Sequence, residues 1–155
     1  MTAASDSIRA LLAPIDAHHV LLPHAVIAEV IPYAPPRPYR DAPPWLLGEI
    51  EWNDWQVPVV SLGRLGKFDR SPSSGRARHI LIVKTLSEST SVVHIGFPIY
   101  GLPGLRTVTA DNLEPLDAPD LSPAIFSLVR LGEDQAIIPE LDELSGLIEA
   151  AVFSK

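Results

Sequence analysis

The side chains that could do chemistry in this chain of 155 residues are its five histidines and its acidic residues, because it has no cysteine. His18 and His19 are adjacent and on a strand would point to opposite faces, which disfavours joint ligation. His24 and Asp16 complete a possible donor set, but its spacing matches no usual zinc site. His94 lies between Val93 and Ile95 and reads as a half-buried strand residue, and His79 as a strand start. Glu49 and Glu51 share one face of a strand at period two, with Asp54 close by, so an acid–base pair is geometrically possible. Nothing around them marks a cleft. No glycine-rich phosphate loop, HExxH helix or nucleophile elbow occurs. The expectation is therefore a protein that is not an enzyme, with no catalytic residue, no cofactor and no metal.

Composition narrows the partners. Without cysteine there are no disulfides and no thiol chemistry, which suits a reducing compartment. A net charge of -7 lacks the basic footprint that nucleic-acid binding needs. The N-terminus carries Asp6 where a signal peptide would be positive, and no run approaches the roughly 20 apolar residues of a membrane span. A cytoplasmic protein without direct membrane insertion is expected. The length suits one domain with its own core. Sixteen prolines predict many short elements with stiff connections.

These side chains have to be positioned by a β-rich framework. Its centre is Pro43 to Leu65: Glu49 to Trp52 enters a hairpin, Asn53-Asp54 turns, and Trp55 to Val60 leaves. Pro58 suggests an edge, a bulge or a strand end there. Pro43-Pro44 is read as opening a helical turn through Leu47, Gly48 as the reversal into the strand, and Ser61 to Leu65 as another helical turn. Upstream, Ile8 to Ile15 and Val20 to Leu22 suit two short strands, although Leu11, Leu12 and Ile15 also fit a helical face. Pro23 followed by Val26, Ile27, Val30 and Ile31 predicts a short amphipathic helix, and the segment 32–44 a stiff proline-rich loop.

Downstream, 67–78 reads as a polar linker outside any core. Strands are expected at 79–85, 92–99, 105–108, 124–131 and 135–138, with Gly132 to Asp134 as a turn. Thr109 or Asp111 is expected to cap a turn that includes Leu113. Leu141, Leu144, Leu147 and Ile148 form the stripe of a final helix whose acidic first turns suit the helix dipole.

Trp45, Trp52 and Trp55 lie within one short segment. Two readings stay open: at least two are core residues, or one or two form an aromatic anchor at an interface. Tyr33 and Tyr39 in the proline-rich loop would extend such a patch.

The segments Ile27-Ala28-Glu29-Val30-Ile31, Leu47-Gly48-Glu49-Ile50 and Val57-Pro58-Val59-Val60-Ser61-Leu62 resemble the CheW-like domain family. These are adaptor modules that join chemoreceptors to a histidine kinase. The resemblance is most specific from Glu29 to Leu65 and extends over nearly the whole chain. It implies a mainly β fold: two small five-stranded SH3-like β-barrels packed side by side with short helices. One CheW-like domain would span 1–155, with a first barrel at 8–66, a second at 79–138 and a helix at 139–151 over the join. The implied partners are a CheA-type histidine kinase and a methyl-accepting chemoreceptor, with recruitment to membrane-associated arrays. The family's turn reads Asn-Leu-Arg-Gly, whereas this chain has Glu51-Trp52-Asn53-Asp54, so the arginine position is Asn53. Asparagine supplies neither the charge nor the reach of that group. The implied receptor-facing position falls on Ile27. The expected contact residues are therefore Ile27, Trp52, Asn53, Asp54 and Trp55. The divergent hairpin is similar to those of ChpC-type adaptors of type IV pilus systems, which implies twitching motility. An unrelated protein-interaction module is the alternative, and a small-molecule-binding barrel would need a deep, polar-lined pocket.

Overall fold

The computed structural model describes residues 7–15, 18–65, 76–86, 91–117 and 122–153. Among the described residues eleven strands form two sheets. β1 (Ile8–Pro14), β2 (His19–Pro23), β8 (Gly104–Val108), β9 (Leu113–Pro115), β10 (Ile125–Leu131) and β11 (Asp134–Pro139) make a six-stranded sheet in the order β8-β1-β2-β11-β10-β9. β3 (Ile27–Pro32), β4 (Leu46–Trp52), β5 (Trp55–Val60), β6 (His79–Lys84) and β7 (His94–Ile99) make a five-stranded sheet in the order β3-β6-β7-β5-β4. The fold is mainly β with two packed, barrel-like sheets, as expected, although one has a sixth strand.

Each sheet draws strands from both of the sequence halves 8–66 and 79–138. β1 and β2 belong to the sheet built from the C-terminal strands, and β6 and β7 insert between β3 and the β4–β5 hairpin. Two parallel pairings between distant segments, β11 with β2 and β5 with β7, stitch the halves together. Of the predicted linker, only 76–78 lies among the described residues.

Side-chain alternation explains why the central strands read as continuous apolar runs. Leu11, Val20, Leu22, Leu81 and Val83 face a core between the sheets, joined there by Phe97. Their neighbours Ala10, Leu12 and Leu21 fill the six-stranded sheet's own core, and Ile80 and Ile82 that of the five-stranded sheet. A strand buried on both faces loses the polar–apolar period of two that would mark it in sequence. Helix α2 (Leu141–Phe153) lays Leu144 and Ile148, both fully buried, on the shared core. It starts after Glu140, whose carbonyl accepts from the Leu144 N–H at 2.9 Å.

Prolines set many boundaries, since β1, β2, β3, β9 and β11 all end on one. A residue without an N–H is a natural ladder stop. Pro58 is different. It lies inside β5, between β4 and β7, where the parallel ladder to β7 is a single registered pair, Val59 with Gly96.

The amphipathic helix expected at Ile27 to Ile31 is a strand. The helical part is one 3-10 turn, His24–Val26, and Pro23 before it is extended, with ψ of 138°. Ile27, Val30 and Ile31 are β-branched and pair with β6, a use that outweighs the helical spacing. Leu46 and Leu47 likewise belong to β4. Only a tight turn at Pro44-Trp45, closed by the Leu46 N–H on the Pro43 carbonyl at 3.0 Å, precedes them. The short helix α1 (Leu62–Leu65) forms where expected. The turn after β8 is held by Asn112, whose Oδ1 accepts from the Thr109 N–H at 2.8 Å and whose side-chain amide donates to the Thr107 carbonyl at 2.9 Å.

Candidate functional site: the hairpin tip

Asn53 and Asp54 have φ of 53° and 67°, the paired positive angles of a primed two-residue turn. That turn places Trp52 and Trp55 directly opposite each other. The Trp52 indole N–H donates to Glu29 Oε1 at 2.9 Å, linking β4 to β3, the two outer strands of the five-stranded sheet. Trp52 is half-buried over that sheet's own core, whereas Trp55 is 45% exposed. Trp45 packs on the shared core, so the three tryptophans divide between burial and display.

Both hairpin indoles rest on His94. Its ring centroid lies 5.1 Å from that of Trp52 and 5.0 Å from that of Trp55, in edge and tilted geometries. His94 is 7% exposed and its Nδ1 is buried without a hydrogen-bond partner. Burial, and then the charge of Lys84, push its pKa below the ordinary histidine value. The imidazole thus packs as an aromatic support against both indoles. The sequence reading did not connect His94 with the hairpin, because only the parallel β5–β7 pairing brings it there.

Gly48 positions the base of the hairpin. It sits at a register shift in β4 with φ of 146°, and a Cβ there would overlap the Arg37 carbonyl. Arg37 and Glu49 exchange two backbone hydrogen bonds, at 2.8 and 2.9 Å, so the proline-rich loop straps the β4 edge. Arg37 also reaches Glu49 Oε1 at 3.3 Å, and the Tyr39 hydroxyl donates to Glu49 Oε2 at 3.2 Å. Burial, followed by the Glu49 charge, raises the Tyr39 pKa. Glu49 is therefore occupied in strapping the loop, while Glu51 is exposed. Tyr39 serves this strap and Tyr33 lines a groove at the opposite end of the hairpin, so neither tyrosine extends the tryptophan patch.

The structure groups Trp52, Asn53, Asp54 and Trp55 but does not bring Ile27 to them. Ile27 pairs with Val83 and packs, half-buried, against the shared core. Among the described residues no group of three or more His, Asp or Glu is arranged to hold a metal ion. Asp16 lies outside them.

Residues 9–149 match the model of the CheW-like domain. The chain belongs to the CheW-like domain family. A solved structure described as the scaffolding protein TtCheW from Thermoanaerobacter tengcongensis is similar in fold, with a TM-score of 0.69 over 88% of this chain and 91% of that one at 15% identity. No curated protein matches. Membership in this family supports the role of a chemosensory scaffold or adaptor. Among the described residues no helix is long and apolar enough to cross a membrane.

Proposed function

We propose that this CheW-like chain couples a methyl-accepting chemoreceptor to a CheA-type histidine kinase, with the hairpin tip as a contact surface and Ile27 on a separate one. The observation that carries the reading is the display of Trp55 beside an exposed polar turn, braced from behind by His94. A large indole held at a fixed angle loses little entropy on docking, which suits an energetic hot spot. The partners act on the cytoplasmic side of membrane-associated arrays. Asn53 at the arginine position of the family's turn favours a dedicated kinase and receptor pair, for which the setting is a type IV pilus system driving twitching motility.

The test is a pull-down with the adaptor-like domain of the CheA-type kinase from the same organism, with and without a receptor tip fragment. Retention of the kinase domain, with a ternary complex when the receptor fragment is added, is expected. If neither fragment is retained at micromolar concentrations by folded protein, the coupling role fails.

A further inference from the structure

The hairpin also has a base, opposite its tip. This base of β4–β5 opens onto a groove of about 760 Å3 between the proline-rich loop and α1. Its floor is apolar, formed by Ile15, Leu47, Val60, Leu62 and Phe97. Arg64 and Arg76, both exposed, are the charged residues of its lining. No acidic residue is among the described residues that line it, in a chain with 19 acidic and 12 basic side chains. A random sampling of this surface would be mostly negative, so the described lining is a local reversal of sign.

The walls are pinned by backbone hydrogen bonds. The Tyr33 N–H donates to the Arg78 carbonyl at 3.0 Å, Tyr100 to Pro14 at 2.8 Å and Ser61 to Trp45 at 2.8 Å. Arg64 is also positioned, with one guanidinium nitrogen on the Pro44 carbonyl at 3.2 Å and its backbone N–H on Ser61 Oγ at 3.3 Å. A guanidinium has five N–H donors, so this tether leaves others for a carboxylate.

We propose that this groove docks a short acidic segment of a partner protein, with apolar side chains on the floor and carboxylates on Arg64 and Arg76. The sign reversal selects the acidic occupant. An apolar centre rimmed by charge is the anatomy of a protein interface, whereas a small-molecule site places orienting polar groups inside the pocket. Leu47 at the groove and Asn53 at the tip are separated by six strand steps, roughly 20 Å at the usual rise per residue. Two partners can therefore sit on the hairpin together, and the inference does not depend on which of them takes the tip.

The experiment is selection of a phage-displayed random heptapeptide library on the immobilised full chain, followed by calorimetry with the synthesised winners. Enrichment of peptides combining Asp or Glu with Leu, Ile or Phe is expected. Their affinity should fall about tenfold or more in the Arg64→Glu, Arg76→Glu double variant and stay unchanged in Trp55→Ala. Arg76→Glu alone changes an exposed side chain, so it gives a reading even if the Arg64 change disturbs folding, and a weaker loss of the same sign is expected. The proposal is overturned by no enrichment over background, by winners without acidic residues, or by affinities indifferent to both charge reversals. Binding of 2-naphthoate as tight as that of the peptides would assign the groove to a small molecule instead.

Discussion

Trp52 and Trp55 face each other across the Asn53-Asp54 turn and share one support, the His94 ring, yet they do different work. Trp52 ties two strands together through its bond to Glu29, while the Trp55 indole has no hydrogen-bond partner among the described residues and is 45% exposed. Stability and binding should separate between them. Trp52→Phe keeps an aromatic ring but removes the indole donor to a carboxylate, and should cost about 1 kcal/mol of folding free energy. Trp55→Phe should be near neutral. Urea denaturation of the two variants checks this, and equal losses would mean that the Glu29 bond does not hold β3 to β4.

Gly48→Ala is expected to be among the most damaging small substitutions. The new methyl group meets the Arg37 carbonyl where φ is 146°, so the strap must move or the strand must re-register. A cost of roughly 2–4 kcal/mol is expected, read as a lower urea midpoint with an unchanged slope. A neutral Gly48→Ala would show that the proline-rich loop shifts freely from the β4 edge.

The legible parts of this fold were the local ones. Asn53-Asp54 between β-branched and aromatic runs specifies a hairpin within a dozen residues, and Gly132, with φ of 64°, does the same for β10 and β11. What was not legible depends on distant pairing. Ile27 to Ile31 has helical spacing, and only β6, some fifty residues later, makes it a strand. His94 carried no signal of its role, because its partners Trp52 and Trp55 lie across a parallel pairing that adjacent sequence does not encode. In sequence Gly48 reads as a reversal because a glycine admits a bend and a close backbone approach equally. Only the position of Arg37 decides between them.

The C-terminal helix is fastened at a site that titrates. Ser91 donates to Glu149 Oε2 from its backbone N–H at 2.6 Å and its hydroxyl at 2.9 Å, joining α2 to the β6–β7 connection. Those bonds, the backbone one first, hold the Glu149 carboxyl below its ordinary value of 4.5. A depressed carboxylate contributes stability above its unfolded pKa and loses it as pH falls through the folded one. The melting temperatures of wild type and Glu149→Gln should therefore differ at neutral pH and converge below pH 4.5. A constant difference would show that Glu149 contributes through packing.

His94 acts in a higher window. Its folded pKa lies below the ordinary 6.5, from burial first and Lys84 second. The unfolded chain takes up the proton first as pH falls through 6.5, so the folded state loses stability below that point until His94 itself is protonated. His94→Phe keeps a ring between the indoles and removes the titration. Between about pH 7 and pH 5.5 the wild type should lose more melting temperature than the variant. Parallel slopes would mean that His94 titrates normally in the fold.

The binding surface is tested most sharply at the turn. If Trp55 is the anchor, Trp55→Ala should weaken the kinase domain or receptor fragment, whichever binds the tip, by ~2 kcal/mol or more. Asn53→Ala should cost less, because a rim polar group exchanges one set of hydrogen bonds for water. Asn53→Arg introduces bulk and a charge into a surface suited to neither, and should weaken the native partner. The turn itself should tolerate the change, because the Asn53 side chain is exposed, although arginine accepts its φ of 53° less readily than asparagine does. Calorimetry on variants shown to be folded separates the effects. Weakening by both Trp55→Ala and Asn53→Arg places the partner on the tip. Unchanged affinity for both would remove the tip from the interface, while tighter binding by Asn53→Arg would mean that the partner is suited to an arginine turn and that Asn53 does not set specificity.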